Sequence, residues 1–232
     1  MLIPSQSWGE DIAIDSSLVK LNLNAIKETI AHYNVKIIAV TKYFGLKAMQ
    51  AGYEAGIRDF AESRAIESIE KIQQLPEDVR KNSTFHFIGH LQSNKADKVV
   101  KHFNVIHSVD SLKIAQAISK SACSLNKKEK ILLQINNAGE EQKSGYEKEQ
   151  LRQELGDILA LEGVEVIGLM NMAPFGADEE SLEKLFSDIR KFRDELEKEF
   201  AITLPELSMG MSDDYKVAVR CGATMIRIGR KL

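Results

Sequence analysis

The chain has little cysteine, proline or aromatic side chain: 2 Cys, 4 Pro and 1 Trp in 232 residues, with aromatics at 6%. Cys123 and Cys221 are isolated, so no disulfide framework is available, and reduced thiols of a cytoplasmic protein are expected instead. No apolar run reaches the roughly 18 residues that a spanning helix needs. The opening Met1-Leu2-Ile3-Pro4-Ser5 has neither the basic start nor the apolar core of a secretion signal. Neither sign of charge dominates, with 31 Lys and Arg against 34 Asp and Glu and a net charge of −3, so the basic face of a nucleic-acid binder is not expected. The phosphate-cradling and nucleophile signatures GxGxxG and GxSxG are absent, and residues 139–144 lack the glycine that a Walker loop places before its lysine. Asn82-Ser83-Thr84 spells a glycosylation sequon without a secretory route to use it.

What remains is a globular composition, 44% apolar and 28% charged, at a length that suits one large domain or two small ones. Short runs rich in Val, Ile, Leu and Phe predict eight strands, at 35–41, 59–62, 84–89, 104–109, 130–136, 164–170, 205–209 and 225–229. Helical spacing fills the intervals at 46–55, 65–74, 94–102, 112–125, 150–161 and 179–200, with an opening helix over 16–32 and a short segment from Tyr215. Ser111 and Ser212 or Asp213 stand where helix caps belong. Strand–helix alternation demands crossover connections and hence a parallel sheet. Eight repeats without a long linker predict a single-domain (β/α)8 TIM barrel over 1–232, with 1–34 as an N-terminal helical segment and 35–229 as the barrel. Chemistry in that fold sits at the C-terminal ends of the strands.

The first strand finishes at Thr41-Lys42, and a side-chain period of two places Ile38, Val40 and Lys42 on one face. If that face is the barrel interior, Lys42 presents a partly desolvated amine, able to condense with an aldehyde; a lysine snorkelling to solvent is the competing reading. The seventh strand runs into Ser208-Met209-Gly210-Met211-Ser212-Asp213, a small-residue turn before a helix, whose N–H groups suit an anion such as phosphate. The eighth strand brings Arg227 and Gly229 to the same end, the usual phosphate position in such barrels. An ordinary glycine turn with a surface arginine is the alternative. His86 and His90 are four apart on a strand-to-loop segment without a zinc signature, so His86 is either a hydrogen-bonded core histidine or a contact to a planar ligand. Met170, Met172, Met209 and Met211 are expected to fill irregular space near the mouth, with core packing as the default reading.

Several stretches together resemble the YggS/PROSC-type pyridoxal phosphate homeostasis proteins. They are IIAVTK ending at Lys42, AGIRDFAES at 55–63, HFIGHLQSNK at 86–95, KSGY at 143–146, GLMNMAP at 168–174, LSMGMSDD at 207–214 and IRIG at 226–229. The resemblance implies a barrel like the N-terminal domain of alanine racemase, with pyridoxal 5′-phosphate as cofactor. It places Lys42 on the Schiff-base lysine and His86 near the cofactor. Ser208, Met209, Gly210 and Ser212 fall on the phosphate-side turn, with Arg227 and Gly229 on the eighth-strand part of the pocket. Ser63 stands where the family often has an asparagine, and Ala61 where it has a glycine. The family usually continues after the eighth strand as Gly-Thr-x-Ile-Phe-Gly, whereas Gly229-Arg230-Lys231-Leu232 stands here, so that Arg230 replaces a threonine hydroxyl.

The function this implies is intracellular vitamin B6 homeostasis and balance of amino- and keto-acids, without an established reaction. PLP-dependent apoenzymes are the implied partners, in a monomer or a dimer. An amino-acid racemase is the alternative; it needs two bases on opposite faces of the substrate carbon. Alanine racemase takes the second from a C-terminal β-domain, for which the sequence after the eighth strand leaves no residues, and the non-catalytic carrier is expected. A regulatory module with the cofactor as signal is a third reading.

Overall fold

The computed structural model describes residues 14–137 and 144–232. Met1 to Ser5 and residues 139–143, on which sequence expectations were placed, lie outside that range. Eight parallel strands close on themselves in chain order, β1 (Lys36–Val40), β2 (Asp59–Glu62), β3 (Thr84–Phe87), β4 (Val105–Val109), β5 (Glu129–Ile135), β6 (Val164–Asn171), β7 (Glu206–Met211) and β8 (Met225–Ile228). Pairing of Lys36 to Ala39 with Met225 to Ile228 completes the ring. The predicted (β/α)8 barrel is the architecture observed.

Helices α1 (Ser16–Thr29), α2 (Leu46–Glu54), α3 (Ala65–Gln73), α4 (Glu77–Lys81), α5 (Ala96–His102), α6 (Leu112–Ser124), α7 (Lys148–Leu159), α8 (Glu179–Phe200) and α9 (Tyr215–Arg220) accompany the strands. The long α8 has the bounds predicted, because Leu182, Phe186, Ile189, Phe192 and Leu196 are buried along one stripe. Side-chain caps come from Asp15, which accepts from the Ser17 N–H, and Asp178, which accepts from the Ser181 N–H. Ser111 makes no such bond; the Leu112 N–H donates to Glu154 instead. Helix α4 was not predicted. It follows Pro76, buries only Val79 and so has no stripe, and its Glu77, Asp78 start and Arg80, Lys81 end match the helix dipole.

Side-chain alternation divides the core in two. Outward-facing residues such as Ala39, Phe60, Phe85, Leu133 and Leu207 pack under the helices. Inside the ring stand Ile38, Ala61, Val105, Leu132, Ile167, Met170 and Met225. The seventh strand departs from its expected end at residue 209, running two residues further through a bulge in which Ser208 pairs with Met225 but Met211 with Arg227. Gly210 sits in that bulge at φ +91°, a conformation suited to glycine, and an added Cβ would lie 2.6 Å from that of Ala218. The sequence therefore does not turn at Met209; it carries the strand up to the barrel mouth.

Candidate functional site at the barrel mouth

A cavity of about 510 Å³ opens at the C-terminal end of the barrel, a size ordinary for a small-ligand site. The end of β1 contributes Val40, Lys42, Tyr43 and Phe44, and the end of β6 with its following loop contributes Met170, Met172 and Pro174 to Ala177. Met211 to Asp214 and then Arg227, Gly229 and Arg230 supply the β7 and β8 side.

The period-two logic at β1 holds. Ile38 and Val40 pack in the barrel interior and Lys42 follows them into the cavity, half-buried, its ammonium 5.0 Å from the centre of the Tyr43 ring. Across the β1–β8 pairing stands Arg227, which is 3% exposed and lines the same cavity. Its Nη1 donates to the Ser208 carbonyl at 2.7 Å and hydroxyl at 2.6 Å, and its Nη2 donates to the Asn171 carbonyl at 2.8 Å. Burial pulls its pKa down to about 10, with Asp214 drawing it back only in part. The turn above holds itself closed, the Met211 N–H donating to Asp214 Oδ1 and the Gly229 N–H to the Ser212 hydroxyl at 3.3 Å. Burial raises the Asp214 pKa above the usual carboxylate range.

Below the cavity a file of polar side chains crosses the barrel interior. His86 is fully buried; its Nε2 lies 3.0 Å from Asp59 Oδ1 and its Nδ1 2.9 Å from His107 Nε2. His107 Nδ1 is 2.9 Å from the Ser208 hydroxyl, which already accepts from Arg227. Asp59 can only accept when ionised and the guanidinium can only donate, so the proton positions follow by assignment. Arg227 donates to Ser208, Ser208 to His107 Nδ1, His107 Nε2–H to His86 Nδ1, and His86 Nε2–H to Asp59. Both rings are neutral in this arrangement. Burial lowers the His86 pKa against the pull of Asp59, and lowers that of His107 well below the usual value, reinforced by His86 and Arg227. At Asp59 burial pushes the pKa up, yet His86 and Lys36 together leave it below the usual value.

Of the residues singled out from the sequence, Lys42, Ser212, Arg227 and Gly229 converge on the cavity wall. His86 does not reach that wall, because its ring is spent on Asp59 and His107 beneath it. Ser208 acts from behind Arg227. The Met209 side chain is wholly buried with the outward-facing core, unlike Met170, Met172 and Met211. Gly210 shapes the bulge. Ser63 is absent from the lining; its carbonyl packs against Gly89, where an added Cβ would come within 1.9 Å. Arg230 stands at the rim, largely exposed and paired with Asp213.

Three features escaped the sequence reading: His107, the buried position of Asp214, and the aromatic rim of Tyr43, Phe44 and Phe175, the last of these 90% exposed. His107 carried a faint signal, a polar residue among the apolar ones of the fourth strand. His90 lies beside Asp110 at 3.3 Å. Among the described residues, no cluster of three or more His, Cys, Asp or Glu could hold a metal ion, and no helix is long and apolar enough to cross a membrane.

The geometry has close counterparts in known proteins. A pyridoxal phosphate homeostasis protein of Synechocystis sp. is 42% identical over 196 residues, covering 84% of this chain and 89% of its own length. That of Aquifex aeolicus is 36% identical, with 85% of each chain covered. PipY of Synechococcus elongatus superposes with a TM-score of 0.87 without PLP, at 38% identity, covering 92% of this chain and 99% of PipY. The PipY structure with PLP bound gives 0.83 at 36% identity, with the same coverage. Alanine racemase of Clostridium difficile shares the fold, with a TM-score of 0.77 at 20% identity, and 56% of its length is covered. The signature of the alanine racemase N-terminal domain matches residues 14–232, and on that match and these identities the chain belongs to the alanine racemase N-terminal-domain family, among the pyridoxal phosphate homeostasis proteins.

Proposed function

We propose that this protein holds pyridoxal 5′-phosphate at the barrel mouth and serves intracellular vitamin B6 homeostasis, as one unit over residues 1–232, without a turnover reaction of its own. The observation that carries the reading is the convergence of the Lys42 amine and the buried Arg227 guanidinium on one cavity from paired strands. The residues fit the cofactor: Arg227 is a buried cation fixed by neutral oxygens, with donor capacity left for a ligand, beside an apolar wall of Met170, Met172 and Val40 that suits a planar ring. When bound, the cofactor supplies an aldehyde open to covalent attachment by a primary amine. Lys42 offers that amine. Ser212, Gly229 and the turn from Met211 to Asp214 face the side on which an anionic group would rest, with Ser208 and Gly210 supporting them from within. Homologues named for homeostasis rather than for a reaction favour a carrier over a racemase. Transfer to PLP-dependent apoenzymes, and a cytoplasmic location in keeping with free Cys123 and Cys221, belong to the same proposal.

The test is intact-mass measurement of purified protein mixed with PLP and reduced with borohydride, followed by peptide mapping. One adduct on Lys42 is expected. No adduct, or one spread over the exposed lysines, overturns the assignment.

A further inference from the structure

Beneath Lys42, on the outer side of the sheet, lies a buried ion pair that the cavity does not use. Alternation that sends Lys42 inward sends Thr41 and Glu62 outward, toward α3. Glu62 is 1% exposed; its Oε1 accepts from the Thr41 hydroxyl at 2.6 Å and its Oε2 from the Ser68 hydroxyl at 3.2 Å. The Lys71 ammonium pairs with Glu62 and donates to two backbone carbonyls, those of Thr41 at 2.9 Å and Phe44 at 3.0 Å. These carbonyls bracket Lys42 and Tyr43. The Phe44 N–H closes the same turn onto the Thr41 carbonyl at 3.0 Å, and the Thr41 N–H is held by the Ala61 carbonyl at 3.1 Å.

We propose that Glu62 and Lys71 are positioning residues that clamp the 41–44 turn and so aim the Lys42 amine into the cavity. The proposal rests on the assignment of Lys42 as the attachment point. Every polar group of Thr41 is engaged, and three of its contacts come from β2 or α3, so the backbone before Lys42 is tied to both neighbouring elements. A lysine side chain has four rotatable bonds; an anchored Cα confines the volume that the amine samples. Lys71 reaches both ends of the turn because it sits one helical turn beyond Ser68 on the face of α3 turned to the sheet. A hydrophobic residue there would fill the space without holding either carbonyl.

The experiment compares wild type with Glu62→Gln/Lys71→Met, which removes both charges and leaves neither buried alone. Amide exchange at Phe44 is followed without cofactor, and the rate of borohydride-trapped PLP attachment to Lys42 is measured by mass. Non-covalent binding of pyridoxine 5′-phosphate, which has no aldehyde, is measured alongside. A folded double variant should exchange the Phe44 amide at least 10-fold faster and capture PLP on Lys42 on the order of 10- to 100-fold more slowly. Its loss of affinity for pyridoxine 5′-phosphate should be much smaller than its loss of capture rate, because Arg227 and the β6–β8 wall are untouched and only the Tyr43 and Phe44 edge of the cavity is loosened. Capture at the wild-type rate overturns the proposal, whatever the exchange shows. If the double variant does not fold, Thr41→Val, nearly isosteric and lacking only the hydroxyl contact to Glu62, should slow capture about fivefold; an unchanged rate there overturns it equally. Lys71→Arg, which keeps the charge and the donors, should restore most of the wild-type rate. Wild type that takes up no PLP at all defeats the cofactor assignment itself, a result distinct from any of these.

Discussion

Two cations flank the barrel mouth, Arg227 buried and Lys71 largely so, and they are held in opposite ways. Lys71 stands against a carboxylate, Glu62, and burial lowers its pKa while that partner pulls it back. Arg227 is held by two carbonyls and a hydroxyl, with its nearest opposing charge, Asp214, acting at a distance. A compensated cation is a structural fastener: its partner offsets the cost of desolvation, and removal of that partner leaves the charge unpaired. A cation solvated by neutral oxygens keeps most of its field for whatever enters the cavity, which suits recognition of an anionic or electron-rich ligand. The file of Ser208, His107, His86 and Asp59 extends the second arrangement: it orients the arginine through neutral groups and places the balancing carboxylate across the barrel.

The largest effect expected is at Lys42. Lys42→Ala should abolish borohydride-trapped adduct completely while the melting temperature stays near that of wild type, since neither cation depends on that side chain; a collapsed fold would show that it is structural. The two cations should then separate by assay. Glu62→Gln alone leaves Lys71 buried against a neutral amide and should cost about 3–5 kcal/mol in urea unfolding. Arg227→Met strands no buried carboxylate in direct contact and should instead weaken retention of PLP by about 10- to 100-fold, the loss of one charged hydrogen bond at about 1.5–3 kcal/mol, as read by equilibrium dialysis. A reversal of these two ranks would erase the distinction between fastener and recogniser.

A smaller effect follows from the neutral histidines. His86 and His107 have folded pKa values below the unfolded value, so the unfolded chain binds protons first as pH falls. Stability is therefore intact above about pH 6.5 and declines below it, by no more than about 1.4 kcal/mol per pH unit for each ring. His107→Phe should flatten part of that slope in urea titrations between pH 5 and about 7. Arg230→Ala should change PLP affinity by about twofold or less, because its pairing with Asp213 lies in solvent. A large loss would move Arg230 from the rim into the site.

Much of this was visible in the chain. Runs of apolar residues marked seven of the strands, the second (Asp59–Glu62) was legible mainly from its place in the series, and the parity of Ile38, Val40 and Lys42 aimed the lysine into the cavity. Parity failed where height mattered. His86 is open, by sequence, between a hydrogen-bonded core histidine and a ligand contact, and which of these its ring serves depends on Asp59 and His107, from neighbouring strands. Met209, for which core packing is the default reading, lies in the bulge at Gly210 and packs in the outward core; which side of the sheet it serves depends on that bulge. The Glu62–Lys71 clamp joins a strand end to the helix after it, and in one dimension it is two charges nine positions apart among many.

The order of strands and helices, the closure they require, and the residue types at the strand ends were determined by the sequence alone, because hydrophobic periodicity and turn chemistry are local. Which of those strand-end groups meet, which are turned under the floor, and which charge is neutralised and which left open were decided by tertiary structure. Register, bulge and barrel closure set distances between residues as far apart as Lys42 and Arg227, and electrostatics depends on those distances rather than on order along the chain.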